Sequence, residues 1–370
     1  MNRLTLFAVT AAAALVIAII GLPSASAQQA DAVNRGVVEL ETTGSTGISV
    51  KIAEDLARLI DDGATRRLVP VVGKNSLQNL IDLRYLRGVD LAIVESDVLE
   101  YARDQRMVPG IESSVSYITK LYNEEFHLLV GPKIKTIGDL TNKKVNVDLQ
   151  GSVTSIVAAK FFNSLNLAAA ATNDPQDVAL EKLLKGQIDG LAFIAGKPAP
   201  LFATVRRDTG IHFLSIPYDK PVGSYLPTRL TNAEYPSLIL QDQPVETIAV
   251  GTLLLAADLR QVPERYRNVA NFVEMFFSGF QTLLEPGDHP KWHEVNLATE
   301  FEGWRRYVPA QQWLQRNNQI VTAQSSNNLK SMFDRFIDER RQASGGAPMS
   351  QEEKNALFQQ FESWRGSLPR

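Results

Sequence analysis

The chain has no cysteine in its 370 residues. That excludes a disulfide framework, a thiolate metal site, a cysteine nucleophile and a thiol-linked lipid anchor. Histidine is scarce, with four in the chain, and no Gly-x-Ser-x-Gly elbow occurs, so a hydrolytic nucleophile–base pair has little to be built from. Charge of one sign is also lacking: the net charge is −3, and no basic stripe with interleaved aromatics suggests nucleic acid. Acidic residues are plentiful, but none stand out as an acid/base couple; a pair assembled only by folding stays open. His289 and His293 have helical metal-ligand spacing, yet Pro290 interrupts the helix they would need and no other histidine lies nearby. We therefore expect a binding protein without cofactor or metal, and not an enzyme.

One long apolar run is present, at residues 4–22, behind Arg3 and ahead of Ala25-Ser26-Ala27 and the polar Gln28-Gln29. A positive start, an apolar stretch and a small-x-small site describe a cleaved signal peptide over residues 1–27. The run is about as long as a membrane span, so an uncleaved anchor is the competing reading. No later segment has that length and apolarity. The mature chain is expected to be periplasmic.

Strand-like and helix-like patterns then alternate. Residues 36–41, 68–72 and 89–94 read as strands. Between them, Ile52, Leu56, Leu59 and Ile60, then Leu77, Leu80, Ile81 and Leu86, recur at helical spacing. Such alternation predicts a mostly parallel sheet covered by helices. A second unit repeats it, with strands at 126–130, 145–148, 191–195 and 211–216 and helices at 136–140, 152–165, 178–184 and 202–207. A polar, proline-rich connector (217–244) leads to another strand at 247–255 and helices within 264–284. The fold class expected is α/β, a two-lobed clamshell with a helical C-terminal extension. Lobe one begins over residues 28–130, lobe two covers 131–243, the chain returns to lobe one over 244–342, and a linker and helix occupy 343–370. The strands near 126–130 and 247–255 would cross between the lobes. In the extension, residues 324–341 read as a charged helix, and Ser350 with Glu353 forms a capping box ahead of Leu357, Phe358, Phe361 and Trp364.

The strands end in small, polar, glycine-bearing turns: Thr43-Gly44-Ser45-Thr46-Gly47, Gly73-Lys74-Asn75-Ser76, Glu95-Ser96-Asp97, Gln150-Gly151-Ser152 and Gly196-Lys197-Pro198. Turns at the carboxyl ends of strands line the ligand crevice of open α/β sheets, and helix starts offer free N–H groups to a carboxylate or phosphate. The spacing is neither that of a P-loop nor of a dinucleotide fingerprint. Candidate ligand-binding residues are Ser45, Thr46, Gly47, Asn75, Ser76, Ser96, Gly151, Ser152, Gly196 and Lys197. Each polar one has an ordinary use as a helix cap, and Lys197 equally suits a solvated loop. Phe193 either stacks on a ligand or fills the core.

These segments, in order, resemble the TAXI family of extracytoplasmic solute receptors. The likeness is carried by Thr43 to Gly47, Gly88-Val-Asp-Leu-Ala-Ile-Val-Glu-Ser-Asp97, Asn142-Lys-Lys-Val-Asn-Val-Asp-Leu-Gln-Gly-Ser152, Leu184-Lys-Gly-Gln-Ile-Asp-Gly190 with Gly196-Lys-Pro198, and Tyr235-Pro236 with Val245-Glu-Thr-Ile-Ala-Val250. The resemblance implies a type II periplasmic-binding-protein fold. It also implies capture of a small organic acid or amino acid, without cofactor, for a TRAP-type transporter in the inner membrane. Ile48 and Ser49 stand where the family has an aromatic pair, and Val153 where it has glycine. A different class of function, a periplasmic sensor or adaptor presenting the clamshell or the C-terminal helix to a protein partner, is the alternative.

Overall fold

The computed structural model describes residues 36–44, 47–216, 225–317, 330, 333–334, 337 and 349–366, with side chains to residue 359. The expected signal peptide, Ser45, Thr46, the expected linker and nearly all of the charged 324–341 segment lie outside them. Among the described residues no helix is long and apolar enough to cross a membrane.

The first unit alternates as the periodicity requires. Strands β1 (Val37–Thr43), β2 (Arg67–Gly73) and β3 (Val89–Glu95) are each followed by a helix: α1 (Ile48–Ile60), α2 (Ser76–Tyr85) and α3 (Ser96–Asp104). Every residue of β3 is buried, as expected for a strand covered on both faces. A single helical turn, α4 (Ile111–Ser114), leads into β4 (Val115–Val130). The second unit holds β5 (Lys144–Asn146), α5 (Val153–Ser164), β6 (Ala170–Thr172), α6 (Gln176–Leu184), β7 (Gly190–Ala195), β8 (His212–Phe213) and β9 (Leu226–Leu230). Strand β10 (Val245–Ala257) returns to the first unit, followed by α7 (Pro263–Ser278), α8 (Val308–Arg316) and, at the end, α9 (Gln351–Gly366).

All ten strands belong to one sheet, ordered β2-β1-β3-β10-β4-β7-β5-β6, with β8 on β4 and β9 on β10. Strands β1, β2 and β3 are parallel, and β10 runs antiparallel between β3 and β4. Residues 252–256 of β10 pair with β3, whereas residues 245–249 pair with β9. Likewise the second half of β4, from Glu125, pairs with β7. Two long neighbouring strands therefore pass from one lobe to the other, crossing at residues 123–125 and 249–251. A register shift at Gly251/Leu253 marks the crossing, which is where a bulge lets a ribbon bend.

The mixed α/β, two-lobed architecture expected from the sequence is the one observed. Four local expectations change. Strand β4 extends over 16 residues instead of five, because its first half carries Lys120, Asn123 and Glu124, which hide a strand from an apolar-run criterion. Strand β9 lies inside the expected connector, with Pro227 opposite Ile248; a sheet edge is where a proline is tolerated. Residues 200–209 form two short 3₁₀ turns in place of a helix. Short β6 extends the lobe-two edge, with three residues too few to show a period.

Helices α1 and α7 bury matching stripes, Ile52, Leu56 and Ile60 against Phe272, Val273 and Phe276. Trp292 is fully buried edge-to-face on Phe276, at 5.8 Å between ring centroids. At the end of the chain the expected capping box is present: the Ser350 N–H donates to Glu353 Oε2 at 2.9 Å and the Glu353 N–H to Ser350 Oγ at 3.3 Å.

Candidate ligand-binding cleft

The turns at the carboxyl ends of β1, β2 and β3 face the start of α5 and the end of β7. Contacts join the two sides. Gly151, in the left-handed region at φ 82°, lies so close to Asn75 that an added Cβ would stand 3.6 Å from Asn75 Nδ2. A Cβ on Gly196 would overlap Ile48 Cδ1, at the start of α1. Lys160 on α5 donates to Asp97 Oδ1 on α3 at 2.7 Å and lies 3.6 Å from Glu100 Oε2. These contacts bring the two sides together, with small residues at the closest approaches.

The candidate residues divide by what they already bind. Asn75 caps α2 by accepting the Gln78 N–H at 2.9 Å, and Ser152 caps α5 by accepting the Ser155 N–H at 3.1 Å. Both therefore have the ordinary use that the sequence allowed them. Gly47 precedes α1 in extended conformation and supplies no side-chain cap, so the first amides of that helix are uncapped by it. Ser76 is buried at the first position of α2, and Ser96 is half-buried at the first position of α3. The Lys197 ammonium is engaged within lobe two: it donates to Arg229 O at 2.5 Å and lies 3.3 Å from Glu234 Oε1. Only its backbone N–H turns to the crossing strand, donating to Glu125 Oε2 at 2.9 Å. Phe193 is half-buried and meets Phe202 edge-on at 6.1 Å.

Folding brings together a group of buried acids that sequence spacing does not reveal. Glu95 ends β3 opposite Thr252 of β10. Thr252 in turn is hydrogen-bonded to β4, accepting the Tyr122 N–H at 3.2 Å and donating to Tyr122 O at 2.9 Å. Two residues on, Glu124 is paired with Val250. Glu95, Tyr122 and Glu124 are 2%, 0% and 8% exposed. Burial pushes the Glu95 carboxyl up to about 7, with the Ser76 hydroxyl opposing and Asp97 adding to the rise. Burial, then the charges of Glu95 and Glu125, hold Glu124 well above the carboxylate range. Tyr122 is raised by burial and by the charges of Glu124, Glu95 and Glu294, with Thr252 opposing. Glu95 Oε2 and Tyr122 Oη have no hydrogen-bond partner.

The opposite side of the crossing is neutralised. Lys291, in the 3₁₀ turn Pro290–Glu294, donates to Asn123 O at 2.8 Å and pairs with Glu125 Oε1 at 2.9 Å and Glu294 Oε1 at 2.8 Å. That turn is pinned to α1 by Asp55, whose Oδ2 accepts the His289 N–H and the Trp292 Nε1–H, both at 2.9 Å. The His289 Nδ1 accepts the Lys291 N–H at 3.2 Å, so this nitrogen is occupied within the turn. Among the described residues no group of three or more His, Asp or Glu side chains could hold a metal.

The acids and Lys291 escaped sequence reasoning. The one signal for Glu95 is a carboxylate closing the apolar run Leu91–Val94. Glu124 and Lys291 give none, since Glu95 and Glu125 stand 29 and 166 positions from them.

Among solved structures, the chain is similar to the alkanesulfonate-binding protein SsuA from Xanthomonas axonopodis pv. citri, bound to MOPS, at 14% identity and a TM-score of 0.42 over 82% of this chain and 93% of that one. It is also similar to the periplasmic aliphatic sulphonate binding protein SsuA from Escherichia coli, at 14% identity and TM-score 0.39 over 89% and 91% of the two chains. A TctC solute binding protein from Polaromonas gives 14% identity and TM-score 0.40 over 66% and 88%. No curated protein sequence matches the chain. A family model matches residues 40–265, more than half of the chain and the whole of the cleft-forming region apart from the Lys291 turn, and the chain belongs to the NMT1-like family.

Proposed function

We propose that this protein is a periplasmic solute-binding receptor of the TAXI kind, which captures a small organic acid or amino acid between its lobes and delivers it to a TRAP-type membrane transporter. One observation supports the reading: the ends of β1, β2 and β3 lead into residues that contact Gly196, Gly151 and Lys160 of α5. Binding needs no turnover. The start of α1, to which Gly47 gives no side-chain cap, offers N–H groups and the positive end of a helix dipole to a ligand carboxylate. Ser45 and Thr46 lie just before it in sequence and would add two hydroxyl donors. Closure removes water and strengthens each of these bonds. The closed surface is what a membrane partner would read, and the signal sequence would deliver the chain to the periplasm.

Native mass spectrometry of the mature protein, followed by denaturing release, tests the reading. A stoichiometric organic acid or amino acid is expected. Replacing Ser45, Thr46 and Ser152 together with alanine should weaken affinity for that molecule at least tenfold, consistent with loss of charge-assisted bonds worth about 1.5–3 kcal/mol each. Unchanged affinity would remove the carboxylate anchor from this site.

A further inference from the structure

We infer that the ligand carries a protonated nitrogen (an amine, amidine or guanidinium) held by Glu95, Glu124 and the Tyr122 hydroxyl, so that an amino acid or amine-bearing acid fits this cleft and a nitrogen-free organic acid does not. The inference rests on the solute-receptor reading above and narrows its substrate class.

Three observations support it. First, Glu95 Oε2 and Tyr122 Oη are buried polar atoms without a partner, on residues 2% and 0% exposed. Buried polar atoms are nearly always paired, and an orphan calls for a group not among the protein's own. Second, Glu95 and Glu124 stand on either side of β10, opposite Thr252 and Val250, and the charge of Glu95 disfavours that of Glu124. Two acids sharing one buried site are stabilised by a cation between them. Third, the lysines nearby are already engaged. Lys160 holds Asp97, Lys291 holds Glu125 and Glu294, Lys120 donates to Asn123 Oδ1 at 2.7 Å, and Lys197 holds Glu234. Among the described residues no ion pair reaches Glu95 or Glu124.

An ammonium has three N–H donors and a guanidinium five. Either can serve Glu95 Oε2, a Glu124 oxygen and Tyr122 Oη together. A metal ion fits less well, because no three-ligand group of acids or imidazoles forms among the described residues. Strands β1 and β3 are neighbours, and the start of α1 follows one while Glu95 ends the other, which sets the two anchors on adjacent strands. A nitrogen-free diacid brings no N–H donor for Glu95 Oε2, Glu124 and Tyr122 Oη.

The test is calorimetric titration and thermal shift of the mature protein with two matched panels. One holds the α-amino acids, with primary amines and guanidines such as cadaverine and agmatine. The other holds nitrogen-free mono- and dicarboxylates such as succinate and glutarate. A hit is expected in the first panel, weakened at least tenfold by Glu95→Gln and several-fold by Tyr122→Phe. Tyr122→Phe removes only an unpartnered hydroxyl and keeps the ring, so it reports even if Glu95→Gln fails to fold. Binding confined to nitrogen-free acids overturns the inference and leaves the receptor reading standing. So does an amino acid whose affinity is unmoved by both variants. Silence to both panels overturns both.

Discussion

At Glu95 the folded chain keeps a proton that the unfolded chain has already released. Its carboxyl ordinarily titrates near 4.5 and is raised to about 7 in the fold, chiefly by burial; Glu41 shifts the same way for the same leading reason. Between those values the native state binds more protons, so the stability of the unliganded protein should fall as pH rises from 4.5 through 7. His127 works in the opposite direction. Burial lowers it from 6.5 to about 3, and its Nε2 accepts from Tyr235 Oη at 2.6 Å while Nδ1 faces Phe193 O at 3.3 Å. Below pH 6.5 the unfolded chain takes up a proton that the folded ring refuses, and stability falls with falling pH. Between pH 4.5 and 6.5 the two acids outweigh the one imidazole, so thermal melts across pH should peak at about pH 4.5. Glu95→Gln should flatten the alkaline limb and raise the melting temperature at pH 8; an unchanged limb would mean that Glu95 ionises freely. Gly73 gives a second residue-scale prediction. A Cβ there would overlap Asn79 Oδ1 and stand 2.6 Å from Glu41 Oε1. Gly73→Ala should lower stability by about 1–3 kcal/mol, the usual range for overpacking, measured by denaturant melts.

Between elements, the contact of α3 with α5 is the one polar tie to test first. Asp97 is 1% exposed at the side chain and Lys160 is 42% exposed, so removing the lysine strands a buried acid while sacrificing only a half-solvated cation. Lys160→Ala should cost about 1 kcal/mol, less than a fully buried pair would. It should also enlarge the radius of gyration of the unliganded protein in X-ray scattering, because the pair spans the lobes. A melting loss without expansion would make the pair a stabiliser only. Elements were the most legible level of this sequence. The helical stripe of α1 and the apolar run Leu91–Val94 of β3 are fixed within a dozen neighbours, so periodicity finds them. The first part of β4 is not, because Lys120, Asn123 and Glu124 take up partners from residues 250–294. For the same reason the strand-end turns could be read as a site, whereas the acids could not. A turn signals itself locally through glycine and hydroxyls. The meeting of Glu95 with Glu124 depends on which strand is inserted between β3 and β4.

For the whole molecule, that inserted strand has a consequence for the order of events. Strand β10 occupies the middle of the sheet, bonded to β3 on one side and β4 on the other, yet it comes from residues 245–257. Until that stretch is available, the first lobe is a three-stranded fragment with an open edge, and β4 lacks its main neighbour. Contacts of such long sequence separation form late and slowly. A chain emerging N-terminus first cannot close this sheet until some two-thirds of it is available, and the central strand acts as a keystone set only when the arch around it is nearly complete.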